Sequence, residues 1–288
     1  AAVTALRPFP ILSLGLNCAT GPVEMAEHIG YLSRHWDRHI SVIPNAGLPA
    51  LVDGKAHFPL TPVPLAESVA RYVEKSGVRI IGGCCGTEAK HIAALRTMLD
   101  ASTPTTKRKI EPIAGLSSGY THVDYRQELA FLMVGERMNA SGSRRFRELL
   151  EADDLDGIIA VGRDQVRRGA HVLDVNVDFA GRDNASDMYT VVHRIATTLN
   201  APVMIDSTQL ATLEAGLRAA PGKSIINSAN FEDGEEKFDA ICELARTYGA
   251  GLVIGSIDED EESAMARTCE RKVAIAHRAF ERATTKHG

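Results

Sequence analysis

At 288 residues the chain is long enough for one large domain or two modest ones, each able to bury a core. With 44% hydrophobic residues, 24% charged residues and a net charge of −5, it reads as neither a disordered segment nor a basic nucleic-acid binder. No apolar run reaches the ~20 residues that span a bilayer, and no basic-then-apolar leader opens the chain, so a cytoplasmic protein without membrane or nucleic-acid partners is expected. The start at Ala1-Ala2-Val3, without methionine, leads us to expect a processed or truncated end. Five cysteines, odd in number and sparse, point to thiol or metal chemistry rather than a disulfide framework.

Apolar runs alternate with amphipathic stretches along the chain. Strands are predicted at Ile11–Leu16, Ile40–Ile43 and Val78–Ile81, with helices at Pro22–Arg34, Leu65–Glu74 and Glu88–Leu99. Between Asp100 and Glu128 the text turns to prolines, glycines and hydroxyl residues with little periodicity, as a linker would. Beyond it, strands are predicted at Phe131–Val134, Val172–Val177, Val203–Ile205, Ser224–Ile226 and Leu252–Ile257. The helices among them are Gly157–Arg168, Ala185–Leu199, Gln209–Ala219, Glu235–Tyr248 and Glu261–Arg282. Such alternation means an α/β fold with parallel sheet. The strand count would also suit one closed eight-fold barrel, but the long linker argues for two separate partial units.

In parallel α/β folds, chemistry gathers where strands end. The first half offers thiols there. Cys18 follows the first strand, Asn45 the second, and Cys84 and Cys85, inside Gly82-Gly83-Cys84-Cys85-Gly86-Thr87, the third. Three thiolates converging on one point leave a tetrahedral cation one open position, as in catalytic zinc sites. Asn45 is a candidate weak fourth ligand through its side-chain carbonyl. Taken singly, each cysteine could equally be a small buried hydrophobe, as Cys242 and Cys269 in their helices are expected to be.

The second half offers carboxylates and amides: Glu136 and Asn139, then Asp174 and Asn176, then Asp206, then Asn227. Such a ring hydrogen-bonds a flat heterocycle carrying both donors and acceptors, and magnesium is the rival occupant. For Asp206-Ser207-Thr208, capping of the next helix would by itself explain the residue types. Arg144, Arg145 and Arg147 read as a solvated helix face, with attraction of an anionic substrate tail as the alternative. Asp258 is the last strand-end candidate.

The segments GLNCATGP at 15–22, PNAGLP at 44–49 and GGCCGTEAKHI at 82–92 resemble the zinc-thiolate homocysteine methyltransferase domain. VGERMNASGSRRF at 134–146, GAHVLDVNVD at 169–178, PVMIDST at 202–208 and GKSIINS at 222–228 resemble the pterin-binding methyltransferase domain. In this order the two are similar to the amino-terminal half of the cobalamin-dependent methionine synthase family. The resemblance implies two (β/α)8 TIM-barrel domains, each incomplete here: residues 1–104 from the end of the zinc barrel, a linker over 105–127, and residues 128–288 from the start of the pterin barrel. It implies zinc on Cys18, Cys84 and Cys85, activating homocysteine, and 5-methyltetrahydrofolate on Glu136, Asn139, Asp174, Asn176, Asp206 and Asn227. The methyl group would pass through cobalamin, held by a cobalamin-binding domain outside this sequence, and the isolated stretch is expected to turn over little. A folate-independent homocysteine S-methyltransferase and a non-catalytic zinc- or pterin-binding fragment are the alternatives.

Overall fold

The computed structural model describes residues 1–105, 107–259 and 265–288. The chain divides into two compact units, one of residues 10–113 and one of residues 1–9 with 114–288. The opening helix α1 (Ala2–Leu6) thus packs with the later unit, where Thr4 Oγ1 lies 2.8 Å from His122 Nδ1.

The unit of residues 10–113 is built from β1 (Ser13–Asn17), α2 (Ala26–His35), β2 (His39–Ile43), a small antiparallel hairpin of β3 (Ala50–Val52) and β4 (Lys55–His57), α3 (Pro62–Ser76), β5 (Ile80–Ile81) and α4 (Ala89–Ala101). Its parallel sheet runs β1-β2-β5, in chain order. Ile29, Trp36, Ile40, Val42, Leu65 and Val69 are fully buried between sheet and helices. The residues expected to begin a linker stay with this unit: Arg108 donates to the carbonyls of Ser33, Trp36 and Arg38, capping the carboxyl end of α2.

The later unit continues with β6 (Gly115–Ser117), β7 (His122–Asp124), β8 (Val134–Asn139), α5 (Arg144–Glu151), α6 (Leu155–Arg167), β9 (Val172–Asn176), α7 (Asn184–Thr198), β10 (Val203–Asp206), α8 (Leu210–Ala219), β11 (Ile225–Ala229), α9 (Gly234–Tyr248), β12 (Gly251–Ile254) and α10 (Cys269–Arg282). Strands β8 to β12 form one parallel sheet, again in strict chain order. Among the described residues neither sheet closes on itself.

Period-two alternation assigns each residue of this sheet a face. Leu173, Val175, Val177, Ile205 and Ile226 point toward the helices and pack with Phe146, Ile158, Met188, Leu213 and Phe238. The opposite face starts with an apolar floor of Val172, Met204 and Ile225, covered by Leu116 of the β6–β7 hairpin. That hairpin lies in the expected linker. Its strands are too short for periodicity, and its turn is closed by Ser118 Oγ accepting from Tyr120 and Thr121 N–H, so no pattern in the sequence announces it. Ser117 anchors it by exchanging hydrogen bonds with Lys223.

Two strand expectations shift. The apolar run at 131–134 stays largely outside the ladder, with Phe131 91% exposed, and β8 extends instead through the polar residues to Asn139. Its register slips between Gly135 and Met138, and this bulge lets a polar stretch continue the strand. The last strand ends at Ile254, short of Ile257. The helix expected from Glu261 is described from Cys269 onward, while residues 261–264 lie outside the described residues. Cys269 is exposed at that helix's start, contrary to the packing role expected of it, whereas Cys242 is buried as expected. Among the described residues no helix is long and apolar enough to cross a membrane.

Candidate functional site

In the unit of residues 10–113, the carboxyl ends of all three parallel strands meet. Cys18 N–H extends the ladder onto the Ile43 carbonyl, Cys84 N–H bonds the Pro44 carbonyl, and Ala46 N–H bonds the Cys85 carbonyl. Three loops remote in sequence are thereby laced together. The sulfurs of Cys18, Cys84 and Cys85 all lie within 4.8 Å of one another, with Cys18 Sγ 3.6 Å from Cys85 Sγ across 67 residues of chain. Cys18 and Ala19 hold left-handed backbone at φ 64 and 63, a conformation costing roughly 1–2 kcal/mol per residue that the surrounding hydrogen bonds must sustain. Gly86 is left-handed too, and a Cβ there would come 2.3 Å from Phe58, so the glycine is required on both counts. Thr87 Oγ1 donates to the Cys84 carbonyl at 2.6 Å and tightens the same turn.

The electrostatics suit a soft cation. The Ala19 N–H, with the neighbouring thiols, holds the Cys18 thiol below its usual range, whereas Cys18 and Cys84 push Cys85 up to about 11. Sulfurs this close cannot all ionise unless a cation balances them. Asn45, buried at 4% exposure, directs its Oδ1 to the Cys85 N–H at 3.1 Å. Its carbonyl oxygen thereby holds the backbone of the Cys84–Cys85 loop next to the sulfurs.

In the later unit, the face that starts with the apolar floor turns polar toward the carboxyl ends of the strands. Ladder register sets Asp206 beside Asn227 and Asn139 beside Asn176. Asn139 Nδ2 donates to Asp206 at 2.8 Å and to Asp174 at 3.2 Å, and Asn227 Nδ2 donates to Asp174 at 3.3 Å. Amide donors thus stand between the carboxylates, an arrangement unlike the oxygen-only set converging on one point that a magnesium ion needs. Asn176 accepts from Asp178 N–H at 3.1 Å, and its amide tempers the rise in the Asp206 pKa. Glu136 stands exposed on the β8 bulge and its charge reaches Asp174.

Neither Asp206 nor Ser207 is the N-cap of α8, which is Gln209 and makes no side-chain capping bond. Ser207 Oγ accepts from Gln209 N–H in the preceding loop and donates to Asp178, while Asp206 belongs to the cluster. The Asp178–Ser207 tie between successive loops has no marker in the sequence. Asp258, in contrast, is paired with Arg271 and Arg278.

Burial raises the pKa of Asp174, which is 1% exposed. Burial and the Asp174 charge push Asp206 up to about 6 from its ordinary 3.8. Because the folded value exceeds the unfolded one, stability from Asp206 is fully present below about pH 4 and is lost as pH rises through about 6. Asp206→Asn is accordingly expected to raise the melting temperature at pH 8, with the gain vanishing at pH 4, as calorimetry at both values will read. An equal gain at both would show that ionisation is not the cause.

A model of the pterin-binding enzyme family matches residues 135–288, the segment that carries this carboxylate–amide set. The chain belongs to the pterin-binding enzymes. A homocysteine S-methyltransferase family model matches residues 1–99, which hold the three clustered cysteines. Methionine synthase of Mycobacterium leprae is 42% identical across 100% of this chain, and that of Mycobacterium tuberculosis 43% identical across 96%. The chain spans 24% and 23% of those two proteins. Among solved structures, the carboxyl transferase domain of Rhizobium etli pyruvate carboxylase aligns with 98% of this chain and 41% of its own at a TM-score of 0.29 and 13% identity. A pterin-binding segment preceded by a homocysteine methyltransferase segment is thus the arrangement along this chain.

Proposed function

We propose that this chain is the part of a methionine synthase that holds its two small substrates: homocysteine at the thiol cluster and 5-methyltetrahydrofolate at the carboxylate–amide cluster. The convergence of three sulfurs from distant loops carries the reading. A sulfur trio with one side open suits zinc and leaves a fourth position for substrate. Zinc held there would lower the pKa of an incoming thiol, so that homocysteine could be presented as its thiolate. Cys18, Cys84 and Cys85 would hold it, Asn45 would orient Cys85, and the strained Cys18–Ala19 turn would aim the first sulfur.

In the second site, Asp174 and Asp206 accept hydrogen bonds from the amino and ring N–H groups of the pterin, while Asn139 and Asn227 both hold these carboxylates and contact the ring. Transfer of the methyl group from N5 leaves an amine that needs a proton. Asp206, which titrates near 6, is the carboxyl of this set suited to carry one at neutral pH. Cobalamin, bound outside this chain, would supply the methyl-carrier chemistry between the two substrates, with methionine and tetrahydrofolate as products.

Each sheet is read as a sector of a (β/α)8 barrel. Strands in strict chain order with helices on one face support a barrel, since a doubly wound sheet would reverse its order part-way. We keep 1–104 and 128–288 as the two barrel segments of this reading, with the Arg108 cap and the hairpin at 115–124 lying between them.

The test is methionine formation by the complete protein with cobalamin supplied and methyl donors varied. Activity is expected to vanish when 5-methyltetrahydrofolate is omitted. Undiminished turnover on a simple methylated amine or sulfonium would overturn the folate reading.

A further inference from the structure

We propose that the cavity at the carboxyl end of β8 is a carboxylate subsite, in which Arg137 and Arg145 bind the glutamyl tail of the folate. The inference rests on the folate reading above and adds to it the part of the substrate that is not the ring. The cavity, of about 720 Å³, is lined by Glu136, Arg137, Asn139, Arg144 and Arg145 among others. Asn139 also holds Asp174 and Asp206, so a ring bound by those carboxylates has this cavity at its edge.

The three arginines that the sequence presents as one face have separate fates. Arg144 pairs with Glu148 at 2.7 Å. Arg147 turns back to the carbonyls of Ala140 and Ser141, fixing the loop between β8 and α5. Arg145 has no ion pair or hydrogen bond among the described residues, and neither does the side chain of Arg137. Arg137 is nevertheless held in place, because Gln165 Oε1 accepts from its backbone N–H at 2.7 Å and locks the bulge.

Helix α5 adds an independent sign. Its first turn contains no acidic residue and begins Arg144-Arg145. The positive end of a helix dipole favours anions, and with Glu148 taken by Arg144 the Arg145 guanidinium opposes the local field unless an anion joins it. Glu136 is the one carboxylate lining the cavity, which leaves it net positive. Planar guanidinium forks match carboxylates in geometry as well as charge.

The test uses the complete protein and three probes: 5-methyltetrahydrofolate, its triglutamate form, and a tail-less methyltetrahydropterin. Arg145→Ala and Arg137→Ala are each expected to weaken both folates roughly 5–20-fold while the tail-less pterin binds at parental strength. Arg145→Lys should fall between. Unchanged folate affinity, or equal weakening of all three probes, would overturn the subsite. If the unsubstituted protein fails to bind the tail-less pterin while still binding folate, the ring site falls and the tail site stands. Failure to bind any probe removes both.

Discussion

Cys84→Ala in the complete protein is expected to strip zinc to trace stoichiometry and to abolish methyl transfer to homocysteine, with folate binding left at parental strength. Two sulfurs cannot complete a tetrahedral thiolate site with one open position, and the remaining pair would revert toward neutral thiols. Loss of activity should far exceed the ~10–100-fold penalty usual for altering a residue that only supports a ligand. Zinc analysis, a homocysteine assay and folate titration on the same preparation separate the outcomes. Cys242→Ala is the control, because Cys242 is buried in α9 and its thiol is pushed up to about 11 by that burial, so only stability should respond. Full zinc content in the Cys84 variant would show that the sulfurs gather for packing alone.

Asp174→Asn is expected to weaken 5-methyltetrahydrofolate binding by roughly 10–100-fold while zinc content is unchanged. Asp174 is nearly inaccessible and accepts from the side-chain amides of both Asn139 and Asn227. An asparagine at this position keeps the shape but replaces one acceptor oxygen with a donor, so one of the two amides faces another N–H. An unsatisfied buried donor costs about 1–3 kcal/mol, and relief comes only from turning Asn139 or Asn227 out of position. Fold stability should suffer less than binding, since a buried charge is removed at the same time. Titration of folate into the variant reads the effect, and affinity equal to the parent would dissociate this cluster from the pterin.

Much of this was legible in the residues. Strand-end positions picked out Cys18, Asn45, Cys84 and Cys85 in one unit and Glu136 to Asn227 in the other, because parallel strands buried on both faces announce themselves as apolar runs with abrupt polar ends. The short elements were not legible. The hairpin of β6 and β7 owes its place to Leu116 covering the apolar floor and to Ser117 bonding Lys223, contacts made across about a hundred residues. The course of β8 is hidden from the sequence for a related reason. Hydrophobicity favours Phe131–Val134, yet the ladder forms where a bulge can accommodate Glu136 and Arg137.

Asn45 and the three arginines show a further limit. Residue type admitted Asn45 as a ligand, and only the tertiary structure shows its bond to the Cys85 N–H. Arg144, Arg145 and Arg147 look equivalent in the text, and only the partners that two of them find distinguish the third.

The amino-acid sequence alone determined the α/β class, the two-part division and the identity of both clusters, because periodicity, turn residues and strand ends are local properties of a chain. Tertiary structure decided which of those residues touch, which are buried, and which carboxyl is pushed up toward the neutral range. Those properties depend on distances and burial between segments far apart in the chain, and no local pattern encodes them.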